Sequence, residues 1–415
     1  MKWSLPVLLV VLMVGCSRRE PAPKTVGEAK TFATKARDEA QAARGAKSPK
    51  EAAKAAERAR KMSDLARTFI LRPGTTAADN VTAAETFAAA RDAGRFADLA
   101  EEDKRLAGEV SSLKARAYRT ARGVAIKAVF TSLGLAARQA QSGGASSLSG
   151  PMKDAALTAA AVAGECSGRA DLPDGTPDWA GIASDMNALS SNPPAKLNVV
   201  LFIGSLLLSQ NRLALYEMET VDPQLLVTPE EKSLFHLLRG VALSMNGFPK
   251  LGVEQGELAA AVGGQDPKSF GPEWLSLVHL VLASEYLCQN EGRKADLEVV
   301  RAMQVWPDNP LAVFLTGEKL AADGQYEQAA ESLEKAATGT QYEWLAKKLS
   351  ARAREVRDRK GDAKPLFTDI GFLCDVMVYC VAETAEEKAP RQLKGVVAAA
   401  RSLGKRFLDA LPTKE

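Results

Sequence analysis

Aromatic residues and histidines are scarce in this chain of 415 residues. Aromatics make up 6% of the sequence although 46% of it is hydrophobic, and alanine supplies much of the difference. This combination favours helices packed on helices over the cores of β-sandwiches. Few segments alternate strictly between polar residues and β-branched or aromatic ones, so we expect no β-sheet. The composition therefore predicts an all-α protein.

Motifs for metal, nucleotide and nucleic-acid binding are missing as well. The two histidines, His236 and His279, have no acidic residues beside them at the spacing of metal ligands. Neither a Walker loop nor a Gly-x-Gly-x-x-Gly motif occurs. The net charge of +3 gives no reason to expect binding to nucleic acid. We therefore expect no metal site, no cofactor, no nucleic-acid partner and no enzymatic activity.

Five cysteines are present, and one lies in a motif of interest. Residues 164–168 have the form Gly-x-Cys-x-Gly around Cys166, but a nucleophile elbow requires a strand before the turn. The preceding segment is alanine-rich, so we interpret the glycines as a helix end. Cys374 and Cys380 lie about 9 Å apart along one predicted helix, too far for a disulfide. Pairings that involve Cys166 or Cys288 stay open.

The N-terminus carries an export signal. Lys2 precedes an apolar run of ten residues, Leu5 to Val14, which is too short to span a bilayer as a helix. The following Met13-Val14-Gly15-Cys16 resembles the bacterial lipobox. The resemblance implies that residues 1–15 are a signal peptide and that acyl chains on Cys16 anchor the protein to a membrane. Plain secretory cleavage is the alternative.

The lipobox resemblance also implies a location. Ser17, rather than aspartate, follows the cysteine, and in enterobacterial lipoproteins this favours sorting to the outer membrane. We therefore expect a lipid-anchored protein of the bacterial cell envelope that faces the periplasm.

The rest of the chain divides by composition. An apolar seam from Phe96 to Ala117 at heptad spacing suggests a coiled coil between copies, although packing within the chain is favoured. A run of Ser, Gly and Pro at 142–151 is the clearest loop. The predicted regions are a tether at 16–24, an alanine-rich helical region at 25–141, a linker with a short helix at 142–194, a repeat array at 195–340 and capping helices at 341–415.

A 34-residue repeat organises the array. Two helical hairpins begin at Ser276 and Pro310, and both have small residues at repeat positions 8, 20 and 27 and large ones at positions 11 and 24. Small residues let two helices approach closely, and large ones fill the space beside them. This pattern resembles the tetratricopeptide repeat. Weaker copies begin near Ser233 and Leu197. The resemblance implies a helical-hairpin solenoid.

The same resemblance places a partner groove on the concave face, at positions 2, 5, 9 and 12 of each first helix. A face of this apolar character would suit an amphipathic helix or an extended apolar peptide. Alternatively, the segment Pro365 to Ala382 fills it. The predicted groove residues are Leu277, Leu280, Ser284, Leu287, Leu311, Phe314, Glu318 and Ala321.

Together these patterns predict a membrane-anchored scaffold or assembly factor that binds a protein or peptide. The alternative is a ligand-binding or enzymatic envelope lipoprotein with a pocket between the N-terminal helices and the repeats.

Overall fold

The computed structural model describes residues 22–46, 49–70, 77–208, 210–226, 228–265, 270–289, 291–307, 309–340, 343–359 and 391–411. Within these residues it contains sixteen α-helices, two 3₁₀ turns and no strand, which confirms the all-α prediction. The lipobox, Cys374, Cys380 and the segment from Pro365 to Ala382 lie outside the described residues.

The chain forms two compact units, Met1–Ala107 and Gly108–Glu415. The first unit holds α1 (Val26–Arg44), α2 (Pro49–Ile70) and most of α3 (Ala77–Val110). The second holds α4 (Leu113–Gly143), α5 (Gly150–Ser167), α6 (Trp179–Ser191), α7 (Ala195–Leu207), α8 (Asn211–Met218), α9 (Pro229–Met245), α10 (Pro249–Gln265), α11 (Pro272–Cys288), α12 (Gly292–Val305), α13 (Pro310–Ala322), α14 (Tyr326–Gly339), α15 (Glu343–Arg359) and α16 (Arg391–Ala410). The predicted boundary, between 142 and 194, differs from this division, because α5 and α6 in that region pack against α4.

Alanine forms the core of the first unit. Helices α1 and α2 form a hairpin. Helix α3 contacts this hairpin where the Ser63 hydroxyl on α2 donates to the Ala90 carbonyl on α3 at 2.5 Å. One core cluster consists only of buried alanines: Ala40, Ala43, Ala55, Ala56, Ala59, Ala97 and Ala100. Such small side chains let the helix backbones lie close together.

A break separates α3 from α4. Helix α3 ends at Val110, and the Ser112 side chain caps α4 by accepting from the Ala115 amide at 3.2 Å. Serine favours this position because its hydroxyl satisfies an amide that has no partner within the helix. The apolar seam predicted from Phe96 to Ala117 therefore does not lie on one continuous helix, which weakens the coiled-coil alternative.

A buried polar network fastens α4 to α8. Glu217 is fully buried and accepts hydrogen bonds from the Tyr118 hydroxyl and, at 2.7 Å, from Arg122 Nε. Burial, followed by the nearby Glu217 charge, raises the pKa of Tyr118, so this hydroxyl keeps its proton. Arg122 also donates to Asn198 on α7 at 2.7 Å. The network thereby fixes three helices relative to one another.

The C-terminal helix α16 returns to α7. A Cβ atom added at Gly204 would lie 2.7 Å from the Ala400 carbonyl oxygen and 3.0 Å from Gly404 Cα. The two glycines therefore permit a backbone contact that any larger residue would prevent. In a repeat that begins at Leu197, Gly204 would be at position 8, where a small residue lets the two helices of one hairpin approach, but in the structure its closest neighbours belong to α16.

Three consecutive helix pairs, α9/α10, α11/α12 and α13/α14, form the hairpins of the predicted array. Proline occupies the first turn of α9, α11 and α13. Amide groups in the first turn have no hydrogen-bond partner within the helix, so proline costs no hydrogen bond there. Thr228 and Glu231 form a capping box at the start of α9, and Asn309 caps α13. Local sequence thus fixes where each hairpin begins.

Candidate functional site

Two neighbouring hairpins repeat the same serine hydrogen bond. The Ser233 hydroxyl on α9 donates to the Ala259 carbonyl on α10 at 3.3 Å. The Ser276 hydroxyl on α11 donates to the Ala302 carbonyl on α12 at 3.0 Å. Both serines are buried, and each carbonyl lies 26 residues after its serine. The two hairpins therefore share a register as well as a sequence pattern.

The histidines follow the same rule. His236 Nδ1 lies 2.8 Å from Gln255 Oε1, and His279 Nδ1 lies 2.7 Å from Glu298 Oε2, each pair 19 residues apart. Each histidine joins the two helices of its own hairpin. This geometry gives both histidines a packing role within their hairpins. No cluster of three metal-ligating side chains occurs among the residues that the structure describes.

The predicted partner groove is mostly core in this structure. Two of its eight residues, Leu287 and Ala321, are partly exposed. The other six are buried: Leu277, Leu280, Ser284, Leu311, Phe314 and Glu318. An open groove at these positions would require the side chains on a surface, whereas the alternative, in which Pro365 to Ala382 fills the groove, concerns a segment outside the described residues.

The Glu318 contact explains part of this burial. Glu318 accepts from Arg352 Nε at 2.8 Å and from its Nη2 at 3.1 Å, and both side chains are buried. Arg352 lies on α15, one 34-residue step after Glu318. Equivalent positions of successive first helices therefore meet each other here. The spacing of a repeat does not show how tightly one hairpin packs against the next. Sequence alone therefore could not exclude that the predicted groove residues are buried between hairpins.

An open groove lies one step away, between α12 and α13. Helix α10 packs along α11 at the preceding junction, whereas α12 and α13 diverge and leave a groove of about 590 Å³. It is lined by Leu287, Gly292, Arg293, Ala295, Asp296, Val299, Val300, Met303, Leu315, Thr316, Lys319, Ala322 and Asp323. The groove thus includes one residue of the predicted set, Leu287.

The groove is apolar with charges of both signs at its edge. Val300, which is 50% exposed, lies among other aliphatic side chains and Met303. Lys319 on α13 forms an ion pair with Asp296 on α12 at 2.6 Å. The Thr316 hydroxyl donates to the Ala312 carbonyl at 2.8 Å, so its hydrogen is already bonded within α13 and not offered to a ligand in the groove. These features fit an apolar peptide surface with polar flanks.

Sequence reasoning missed most of this groove. The repeat pattern predicts only a packing role for Val299, at position 24, and predicts no role for Val300 or Met303. The available signal was an unusual second helix: α12 carries the adjacent Val299 and Val300, and Val300 is 50% exposed on a helix that an isolated hairpin would keep polar outside.

A second cavity between α7 and α9 is much smaller. Its volume is about 60 Å³, and it is lined mainly by apolar residues such as Phe202, Phe235 and Leu238. Lys196 at its edge pairs with Glu165 at 2.5 Å. Ligand pockets usually span about 300–1,000 Å³. This cavity is therefore smaller than a usual ligand pocket.

Cys166 lacks the surroundings of a nucleophile. It is a free, partly buried thiol at the end of α5, where Gly168 adopts a left-handed conformation with φ of 68°. This confirms the interpretation of the glycines as a helix end. Burial, with a contribution from Glu165, raises the pKa of the Cys166 thiol to about 12. The thiol therefore stays protonated at neutral pH.

None of the helices in the described part of the chain combines the length and apolar character needed to cross a bilayer. The chain shows no significant similarity to any protein-family model, curated protein or solved structure.

Proposed function

We propose that the protein is a cell-envelope lipoprotein, anchored through acylated Cys16, that acts as an interaction scaffold or assembly factor. The observation that carries this proposal is the open groove between α12 and α13, at a junction where consecutive hairpins do not close. In our interpretation the hairpins form a tetratricopeptide-like array, and the groove receives a segment of a partner protein.

Repeated packing contacts support the tetratricopeptide-like interpretation. A Cβ atom at Gly240 would lie 2.9 Å from the Gly252 carbonyl oxygen, and one at Gly317 would lie 3.2 Å from the Ala329 carbonyl oxygen. Both glycines occupy repeat position 8, opposite position 20. Small residues at this pair of positions are the feature on which the sequence resemblance rests. The shared serine and histidine bonds add a second, independent periodicity.

An amphipathic helix or an extended apolar peptide is the occupant that the groove suits best. Apolar side chains would replace water over Val299, Val300 and Met303, and this burial would supply most of the binding free energy. The Lys319–Asp296 pair at the edge would orient the peptide rather than bind it strongly. The anchor at Cys16 would hold this surface at the membrane, where its partner is expected.

The test is a pull-down with the tagged, acylated protein from detergent-solubilised native membranes. Val300→Glu places a charge in the groove, and Leu297→Glu places the same charge on the same helix at an equally exposed site outside it. We expect a specific partner to be retained by the wild type and Leu297→Glu and lost by Val300→Glu, with unchanged circular dichroism. A partner kept by Val300→Glu would place the binding site elsewhere.

A further inference from the structure

Helix α4 contains an 11-residue sequence repeat that the hairpin array does not explain. Its segments begin at Leu113, Val124 and Leu135, and each has a basic residue at its fourth position and Thr or Ser at its eighth. Eleven residues make three helical turns plus about 20°. Equivalent residues of successive segments therefore form rows along the helix.

The first, fifth and eighth positions form an exposed apolar row. Leu113, Val124 and Leu135 are 81%, 63% and 53% exposed, while the opposite face of α4 packs on α5 and α6. The three positions fall within about 60° of one another around the helix, and the row is about 33 Å long. The apolar row consists of Leu113, Ala117, Thr120, Val124, Ala128, Thr131 and Leu135, all exposed.

The two threonines in the apolar row do not make it polar. The Thr120 hydroxyl donates to the Arg116 carbonyl at 3.2 Å, and the Thr131 hydroxyl donates to the Lys127 carbonyl at 2.8 Å. Because both hydroxyls are satisfied within the helix, their methyl groups remain for contact. Small residues thus alternate with the three bulky ones, a pattern that allows another helix to approach closely.

A basic row runs beside the apolar row. It consists of Arg116, Lys127 and Arg138, at the fourth position of each segment and about 60° from the first. All three are exposed, and none forms an ion pair with another residue in the described part of the chain. Helix α4 has six Lys and Arg residues and no Asp or Glu. Its exposed face is therefore apolar and positively charged.

We propose that this face of α4 docks an acidic amphipathic helix of another protein, independently of the groove between α12 and α13. The partner helix would place small and aliphatic side chains against the apolar row. Its Asp or Glu residues would pair with the basic row. An 11-residue period in the partner would keep the two helices in register over the full 33 Å.

Charge and shape favour this occupant over a second copy or a membrane. In an antiparallel pair of α4 helices the two basic rows would face each other and repel. In a parallel pair each basic row would face the other helix, which has no acidic residue to pair with it. A helix that lies on a membrane gains most from bulky apolar residues. Here four of the seven residues of the apolar row are Ala or Thr, which suit a helical partner better.

The experiment is site-specific photocrosslinking in cells, with the full chain carrying benzoylphenylalanine in place of Val124. The control carries it in place of Leu157 on α5, which is 48% exposed. A second pair of variants separates charge effects at the site from charge effects in general. One is Arg116→Glu/Lys127→Glu/Arg138→Glu, and the other makes the same change at three exposed lysines elsewhere, Lys153, Lys232 and Lys405.

We expect an adduct at position 124 and not at 157, mapped by mass spectrometry to a helix-forming segment with acidic residues at helical spacing. Charge reversal in the basic row should lower the adduct yield about tenfold, and the control triple variant should not. An adduct to a second copy of this chain or to lipid would overturn the proposal. So would the absence of an adduct, or an adduct that survives charge reversal.

Discussion

The first unit packs its helices through alanine, whereas the hairpins of the second unit pack around large side chains and also bury charges. The alanine cluster of α1–α3 contrasts with fully buried Trp274, Phe235 and Phe314. Arg60 of α2 forms exposed or half-exposed ion pairs with Asp98 and Glu101 on α3. The second unit also has exposed pairs such as Lys319–Asp296, but the Glu217–Arg122 and Glu318–Arg352 pairs lie inside it.

This difference separates two ways of fixing helices in place. Each alanine buries little apolar area, at roughly 0.8 kcal/mol per methylene-sized group, so an alanine core relies on close backbone approach over many contacts. Large side chains supply more free energy per residue but tolerate several alternative packings. We expect a buried ion pair such as Glu318–Arg352 to disfavour those alternatives, because another register would separate the two charges.

The comparison is tested most strongly at the buried ion pair. Arg352→Met leaves Glu318 buried without its main partner and should lower the free energy of unfolding by about 3–5 kcal/mol. Apart from Trp3 in the predicted signal peptide, every tryptophan lies in the second unit, so tryptophan fluorescence in urea reports on it. The double variant Glu318→Leu/Arg352→Met removes both charges and should recover most of the loss. Equal destabilisation in both variants would mean that packing, not charge, makes this contact important.

The alanine core should respond to added volume instead. Ala59 is fully buried between α2 and its neighbours, and Ala59→Leu should destabilise the first unit by about 1–3 kcal/mol. Ala42→Leu on the exposed face of α1 is the matched control and should change little, because leucine is also a good helix former. Hydrogen exchange of peptides from α1–α3 measures the effect. A tolerated leucine at position 59 would show that these helices are not closely packed.

The extent to which sequence predicted this fold depends on how local each signal is. Helix α1 runs from Val26 to Arg44, at the start of the helical region that the sequence predicts from residue 25, because its cap and its alanine periodicity are both local. The contact of Gly204 with Gly404 joins residues 200 positions apart. Nothing in the spacing of either helix identifies the other, so this contact was not predicted.

The groove shows the same limit. The small residues at repeat positions 8 and 20 predicted which helices form hairpins. The contacts between these two positions join residues of the same 34-residue repeat, so they leave a local pattern in the sequence. Whether one hairpin closes on the next depends on side chains such as Glu318 and Arg352, which close one junction, while the junction at Val300 stays open. The sequence therefore indicated the hairpins but not which junction between them stays open.

The weakest expected effect concerns Glu285, a buried acid without an ion-pair partner. It lies fully buried on α11, and neither carboxyl oxygen has a hydrogen-bond partner among the described residues. Burial, with repulsion from Glu257, raises the pKa of Glu285 well above its usual 4.5, although the nearby Ser244 hydroxyl acts in the opposite direction. A Cβ atom at Gly240 would lie 2.8 Å from Glu285 Oε1, so glycine makes room for this carboxyl.

The raised pKa sets the sign of a pH effect. The folded protein keeps the Glu285 proton at a pH where the unfolded chain has released it, so the stabilisation is complete below about 4.5 and declines as pH rises through the raised pKa. Glu285→Gln, which cannot ionise, should flatten this part of the stability profile measured by tryptophan fluorescence and raise stability most at the higher pH values. Glu273→Gln on the same helix is the control, because this side chain is only partly buried and is not among the groups that shift the pKa of Glu285. An unchanged profile in Glu285→Gln would show that this carboxyl reaches water in solution, and the contrast between buried and exposed charges would then not hold at this site.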